Sequence, residues 1–341
     1  MQKKMEAAVY VDKGKVVIRE VPILQPGQGE ALIKVEYAGI CGTDLTIVSG
    51  NHPRAKPPLI IGHELSGEVV EIGEEKAEIK VGDKVTVRPL LSCGKCYACQ
   101  MGWDHVCQYL RLLGIDVDGA FAEYVKAPLE TIHKLPEGVS LDLAALTEPL
   151  AVAQHVITVS NLKIGDKVAV IGAGPIGMLV ALMAKRGGAS KIIVSEVNEY
   201  RLELARHFGF TIIDASRIDP VSRVFELTNG IGADVVYEVS GTASDTLQMV
   251  DMVKIRGEII LVGVHEKPDP TNFTQATFKE VVLRGSRVYT KIDYSRAIEL
   301  LIPERDNLRS LISHRFGLEK ASKGLDLARQ RGKAMKILLK P

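Results

Sequence analysis

Four of the five cysteines are crowded into one stretch, Cys93, Cys96, Cys99 and Cys107, spaced C-x2-C-x2-C-x7-C. Four thiolates in a short loop are what a closed tetrahedral zinc site needs, one sulfur to each corner. The competing iron–sulfur reading fails on spacing: the bacterial ferredoxin run ends x3-C-P, whereas this loop closes with seven residues and no proline. Cytosolic cysteines packed this closely are metal ligands sooner than disulfides. A structural zinc, shut off from substrate, is expected here.

Other candidates for chemistry lie far apart: Cys41 in GICGTD, His63 and Glu64 in GHE, and Glu148 in LTEPL. One soft thiolate, one imidazole and one carboxylate leave a fourth position open, which is the arrangement of a catalytic zinc. Spacing alone does not join them. Taken singly, a buried cysteine is ordinarily a small hydrophobe, a histidine a core or surface residue, and a glutamate on a helix a solvated one.

A second kind of chemistry is written in residues 167–196, KVAVIGAGPIGMLVALMAKRGGASKIIVSE, which read as strand, glycine turn, helix and strand. That order is the context a dinucleotide-binding fingerprint requires. Gly172 permits the tight turn, Gly174 lets the backbone approach a pyrophosphate, and Gly177 lets helix and strand pack closely. The helix N-terminus adds unpaired N–H groups and a positive dipole. Glu196, at the tip of the second strand, can accept from a ribose 2'-OH and repel a 2'-phosphate, so NAD is expected rather than NADP. The uncharged run 168–184 is too broken by glycine and proline for a membrane span, which needs about twenty apolar residues.

These pieces need two frameworks. A chain of 341 residues exceeds what one core usually organises. Residues 1–150 carry short strands at 31–37, 67–72, 84–88 and 120–125, a pattern that suggests a barrel-like or sandwich-like domain. In the first, Ile33, Val35 and Tyr37 point one way and Lys34 and Glu36 the other. From about residue 142 a helical pattern leads into regular alternation. Strands are expected at 168–171, 192–194, 211–214, 233–239, 258–264 and within 281–289, with helices at 200–208, 221–227 and 244–253. Six strands is the number a doubly wound dinucleotide domain uses. The tail is expected to add helices at 294–301 and 318–329 and a strand at 334–339.

Bulk properties narrow the partners. Lys plus Arg is 43 against 42 Asp plus Glu, a net charge of +1, which gives no reason to expect nucleic acid or an anionic membrane. The opening MQKKMEAAVYVDKG lacks an apolar core, so no signal peptide is visible and the cytoplasm is the default expectation.

Jointly, CGTD, GHE followed by SGEVVEIG and VGDKV, the four-cysteine lobe, TEPLAV and GAGPIG make the chain resemble a zinc-dependent member of the medium-chain dehydrogenase/reductase superfamily. The likeness is nearest the sorbitol and L-threonine dehydrogenase branch and covers essentially the full length. It implies an α/β chain with a GroES-like β-rich catalytic domain, 1–152 and 290–341, and a six-stranded Rossmann domain, 153–289. It further implies two Zn2+ per chain, NAD as cofactor and a homo-oligomer, a tetramer before a dimer. Carried over by position, Cys41, His63 and Glu148 become ligands of the catalytic zinc, Glu64 an alternative or transient ligand, and Thr43 the residue that meets the substrate hydroxyl. Around the cofactor, the glycine turn with Pro175 and Ile176, then Glu196, Arg201, Val262, Gly263, Val264, Ser286 and Arg287 match NAD-contacting positions.

The implied reaction is reversible oxidation of a secondary alcohol to a ketone, the substrate being a small polar alcohol: a polyol, sugar acid or sugar derivative first, L-threonine second. Two positions depart from the pattern. Thr46 stands where many relatives carry a proton-relaying histidine. Val288 precedes Tyr289 where sorbitol dehydrogenases carry an arginine; Arg287 is displaced by one, which in a strand puts it on the other face. A zinc-free quinone-reductase-like activity is the rival within the superfamily, and intact Cys41, His63 and Glu148 speak against it. A nucleic-acid module using the cysteine lobe as a zinc ribbon is disfavoured, since Lys95 is prominent among few basic residues there.

Overall fold

The strand Glu30–Gly39 is the spine of the N-terminal half. Ile33 and Val35 are buried and Lys34 exposed, as alternation predicts, but Leu32 is buried too. At the register shift between Leu32 and Ile33 the extra residue is Val70 of the neighbouring strand, a bulge on that side. In the computed structural model, which describes residues 3–73, 78–265, 267–330 and 332–341, this strand pairs antiparallel with Glu64–Ile72 along one edge. Its other edge is shared. Tyr124–Pro128 takes residues 30–34, and Lys336–Lys340 takes residues 38 and 39.

Lys84–Val87, Ile132–Lys134 and Ile312–Gly317 complete a seven-stranded sheet, beside a three-stranded one of Lys15–Pro22, Lys4–Asp12 and Leu59–Ile60. One consequence of register matters most. Gly39 lies opposite Glu64 on one side and Leu338 on the other, so three strand ends meet just before Cys41.

By contacts the chain divides into two units, Met1–Glu148 with Thr290–Pro341, and Pro149–Tyr289. The second unit holds six parallel strands: β1 Lys167–Ile171, β2 Lys191–Glu196, β3 Thr211–Asp214, β4 Ala233–Glu238, β5 Val253–Leu261 and β6 Val282–Gly285. Their order is β3-β2-β1-β4-β5-β6, the doubly wound Rossmann arrangement, with the reversal of direction between β1 and β4. Its core draws on Ile171, Ile193, Val236, Val250 and Ile259, near-continuous apolar strands covered on both faces.

Several sequence expectations shift. The strand expected at 120–125 forms later, at Tyr124–Pro128. Before it, Gly119, Ala120 and Phe121 donate their N–H groups to the carbonyls of Ile60, Gly62 and Ile61 instead. The helical run from 142 is two helices, Leu141–Ala144 and Thr147–Val159, with the Thr147 hydroxyl donating to the Ala144 carbonyl at 2.7 Å. The strand expected within 281–289 does form there, at Val282–Gly285, but Val288 lies beyond it with φ of +44°, a conformation that β-branched residues rarely adopt. The face argument about Arg287 and Val288 therefore does not apply. Among the described residues no helix is long and apolar enough to cross a membrane.

Candidate active site and metal centres

The junction of three strand ends places the first cluster. Cys41 caps the helix Gly42–Val48, and Asp44 in its first turn accepts from the Cys41 N–H at 2.8 Å. His63 and Glu64 sit at the start of the strand Glu64–Ile72. Ligand atoms of Cys41, His63 and Glu64 all lie within 4.8 Å of one another. Glu148 is not in that set. It is buried in the first turn of Thr147–Val159, from where its charge reaches His63 and Lys336.

Asp44 and Lys336, which sequence reasoning missed, complete the surroundings. Asp44 Oδ1 lies 3.6 Å from His63 Nδ1, and neither buried atom has a hydrogen-bond partner. A carboxylate behind one ring nitrogen is how metal-bound imidazoles are oriented, leaving the other nitrogen for the ion. The Lys336 ammonium donates to both Glu64 oxygens at 2.7 Å. Burial alone would hold His63 neutral, but Asp44, Cys41 and Glu148 outweigh it and push its pKa well above the ordinary value. Burial likewise pushes the Asp44 carboxyl up. The carboxyls of Asp44, Glu64 and Glu148 and the Cys41 thiol thus share one buried lysine. Thiol, imidazole and carboxylate gathered in one place are a zinc donor set.

Thr43 Oγ1 lies 3.8 Å from Cys41 Sγ, beside the cluster. The Thr46 hydroxyl is turned onto its own helix, donating to the Gly42 carbonyl at 3.2 Å.

Cys93, Cys96, Cys99 and Cys107 form the second cluster, their sulfurs again within 4.8 Å of one another. Separations of 3.9 Å (Cys93 to Cys99), 3.5 Å (Cys96 to Cys99) and 3.8 Å (Cys96 to Cys107) bracket the edge of about 3.8 Å that a tetrahedron with zinc–sulfur bonds near 2.3 Å requires. Backbone N–H groups of Cys93, Cys96 and Tyr109 point at the Cys107, Cys93 and Cys107 sulfurs. Without an ion the thiols compete. Backbone donors pull Cys96 down to about 6, while burial and its neighbours push Cys99 up to about 12. The lobe is tied to the sheet by Arg88, only 2% exposed, paired with Asp104 at 3.0 Å.

In the second unit the glycine turn is as expected. Gly172 has φ of +97°, and a Cβ on Gly177 would lie 1.9 Å from the Gly172 carbonyl oxygen, so both positions require glycine. Helix Pro175–Arg186 opens directly behind, with Ile176 in its first turn. Glu196 is spoken for: Oε2 accepts from Ala173 N–H at 2.9 Å and Arg201 at 3.4 Å, and Oε1 from Val197 and Asn198 N–H at 2.8 and 3.0 Å. It therefore shapes the turn as well as charging it. Val262, Gly263 and Val264 follow β5, and Ser286 and Arg287 follow β6, the Ser286 N–H donating to Leu261. All lie past the carboxyl ends of the strands, where open parallel sheets bind ligands.

Known proteins match both halves. The sequence pattern of the alcohol dehydrogenase GroES-like domain fits residues 27–137, and that of zinc-binding dehydrogenases fits residues 175–302. A 2-dehydro-3-deoxy-L-galactonate 5-dehydrogenase of Pseudoalteromonas atlantica is 42% identical over 310 residues, 91% of each chain. The chain belongs to the zinc-type medium-chain alcohol dehydrogenase family. Another family member, an L-threonine 3-dehydrogenase of Bacillus licheniformis, is 40% identical over 94% of each chain.

Solved structures of the family agree over the whole length. A Sinorhizobium meliloti zinc-binding dehydrogenase bound to NADP superposes with a TM-score of 0.93 at 32% identity, covering 100% of both chains. An Escherichia coli alcohol dehydrogenase complexed with NADH gives 0.92 at 30% identity, covering 99% of both. The protein is thus a zinc-dependent NAD(P) dehydrogenase acting on alcohols, with a four-cysteine structural site and a Cys/His/Glu catalytic site.

Proposed function

We propose that the chain oxidises a secondary alcohol of a polyol, sugar acid or related sugar derivative, with NAD as hydride acceptor. The observation that carries this is the cluster of half-buried Cys41 with buried His63 and Glu64, with Glu148 in electrostatic reach and Lys336 as balancing cation. Bound there, zinc would supply Lewis acidity that eases loss of a hydroxyl proton, and NAD would supply the hydride acceptor. Cys41, His63 and Glu148 would hold the ion, Asp44 would fix the His63 ring, and Glu64 would remain with Lys336 or exchange onto the metal. Thr43 Oγ1 would accept the hydrogen bond of the substrate hydroxyl and orient it.

In the second unit, the N–H groups that open Pro175–Arg186 would bind the pyrophosphate. The Glu196 charge favours NAD over a 2'-phosphorylated cofactor, with Arg201 partly offsetting it. The relatives' names support a hydroxylated substrate, sugar acid in one and amino alcohol in the other. The exposed edge strand β6, with Phe278 nearby at 76% exposure, suits pairing with a second copy.

A screen of NAD and NADP reduction over polyols, sugar acids and L-threonine tests the reading. Highest kcat/KM with NAD and a polyol or sugar acid is expected. Preference for L-threonine would make the second reading correct, and activity on quinones alone would overturn both.

A further inference from the structure

At the carboxyl end of β4 one buried carboxylate organises two loops. Glu238, 0% exposed, accepts through Oε1 from the Ser240 N–H at 2.8 Å, the Ser240 hydroxyl at 2.7 Å and the Gly241 N–H at 2.8 Å. Its backbone carbonyl accepts from the N–H groups of Val262 and Gly263 at 2.9 and 3.0 Å. The remaining oxygen, Oε2, faces His265 Nε2 at 3.3 Å, and His265 Nδ1 lies 2.6 Å from Asp269 Oδ2. Each ring nitrogen of His265 thus faces one carboxylate, so the ring bridges Glu238 and Asp269.

The sheet does not need these bonds: pairing of β4 with β5 ends at Glu238 and Leu261. What they fix is the approach of three turns. A Cβ on Gly263 would lie 2.4 Å from the Gly241 nitrogen and 2.6 Å from Glu238 Oε2, so the turns after β4 and β5 touch backbone to backbone. The first of them also lies against the glycine turn, since a Cβ on Gly172 would meet the Ser240 nitrogen at 3.2 Å. The junction is the topological switch point between β1 and β4, and Val264 stands on it, 91% exposed.

We propose that Glu238, His265 and Asp269 form a latch that holds the turn of Val262, Gly263 and Val264 in the shape that receives the dinucleotide, which makes Glu238 and His265 positioning residues for the cofactor. The inference rests on the reading that a dinucleotide occupies this crevice. A loop ordered before binding removes an entropic cost that the ligand would otherwise meet, so the latch acts on affinity. Its carboxylate arm is built into the core, and its histidine arm, 21% exposed, is the part that can be altered without disturbing the sheet.

The test compares wild type, His265→Ala, His265→Gln and Asp269→Asn by NADH titration, following bound-NADH fluorescence, and by hydrogen exchange at the Val262 and Gly263 amides. The Kd for NADH should rise roughly tenfold in His265→Ala, as loss of a hydrogen bond that orders the turn implies. His265→Gln, which keeps one donor, should fall between. KM for NAD should follow Kd while kcat moves less than about threefold, zinc content should not change, and both amides should exchange faster. A His265→Ala protein that binds NADH within about twofold of wild type overturns the proposal, whether or not its amides exchange faster. Wild type that binds neither NADH nor NADPH would instead overturn the dinucleotide reading and take the latch with it.

Discussion

Lys336 Nζ lies 2.7 Å from both carboxylate oxygens of Glu64, 272 residues earlier in the chain, and both side chains are at most 4% exposed. Burial alone would lower the pKa of the lysine, but Glu64, Cys41 and Glu148 outweigh it and hold the ammonium charged. A third bond, to the Ile40 carbonyl at 3.2 Å, anchors it between the strand ends that carry the metal ligands.

Lys336→Met should therefore strand a buried charge. Breaking such a pair costs about 3–5 kcal/mol, and zinc should restore part of the loss by taking the place of the ammonium. Chemical denaturation with and without zinc measures both, and a metal-free variant as stable as wild type would deny the pair its role.

Asp44→Asn removes the charge behind His63 without changing its size. Loss of such an outer partner weakens metal binding by about 10–100-fold, so competition with a chelator should strip one zinc per chain from the variant first. Retention of both ions at wild-type chelator concentrations would show that His63 needs no such support.

His133 gives a pH signature unrelated to the metal. Burial, helped by Arg88 and Lys291, pushes its imidazole down to about 4. The unfolded ring titrates near 6.5, so below that pH the unfolded chain takes up a proton that the folded protein refuses. The associated stability is complete above about 6.5 and is lost as pH falls toward 4, by at most on the order of 3 kcal/mol. Denaturation midpoints across this window should fall less steeply in His133→Gln; parallel curves would contradict the assignment.

For the cofactor, Glu196→Ala should lower the ratio of kcat/KM for NAD over NADP by about tenfold or more, since a carboxylate facing the 2' position is removed. The variant also loses four accepted bonds around the glycine turn, so affinity for both cofactors should drop. An unchanged ratio would place the choice elsewhere.

The nucleotide half was legible because its signals are local. Strands buried on both faces are continuous apolar runs, and the glycine turn needs its residues within six positions of one another. Element bounds moved by a few residues where side chains intervened, as at Thr147, whose hydroxyl donates to the Ala144 carbonyl between two helices. In the catalytic half the four-cysteine lobe was legible from its spacing, but the second cluster only through resemblance, because register, not spacing, brings Cys41, His63, Glu64 and Lys336 to one point. Asp44 could have been noticed as the acid in the first turn after Cys41. Lys336 and the contacts of Glu238 carry no local signal, since a buried charge and an exposed one look alike in a sequence.

The claim on which the rest depends is that Cys41 and its neighbours hold an ion through which alcohol is oxidised. Zinc stoichiometry and NAD-linked turnover, measured side by side on wild type and Cys41→Ser after the same gentle purification, test it most directly. Two zinc per chain are expected in wild type, one for each cluster. One zinc is expected in the variant, with turnover lower on the order of a thousandfold. Equal turnover in the two proteins, or wild type active with only one zinc per chain, would contradict it.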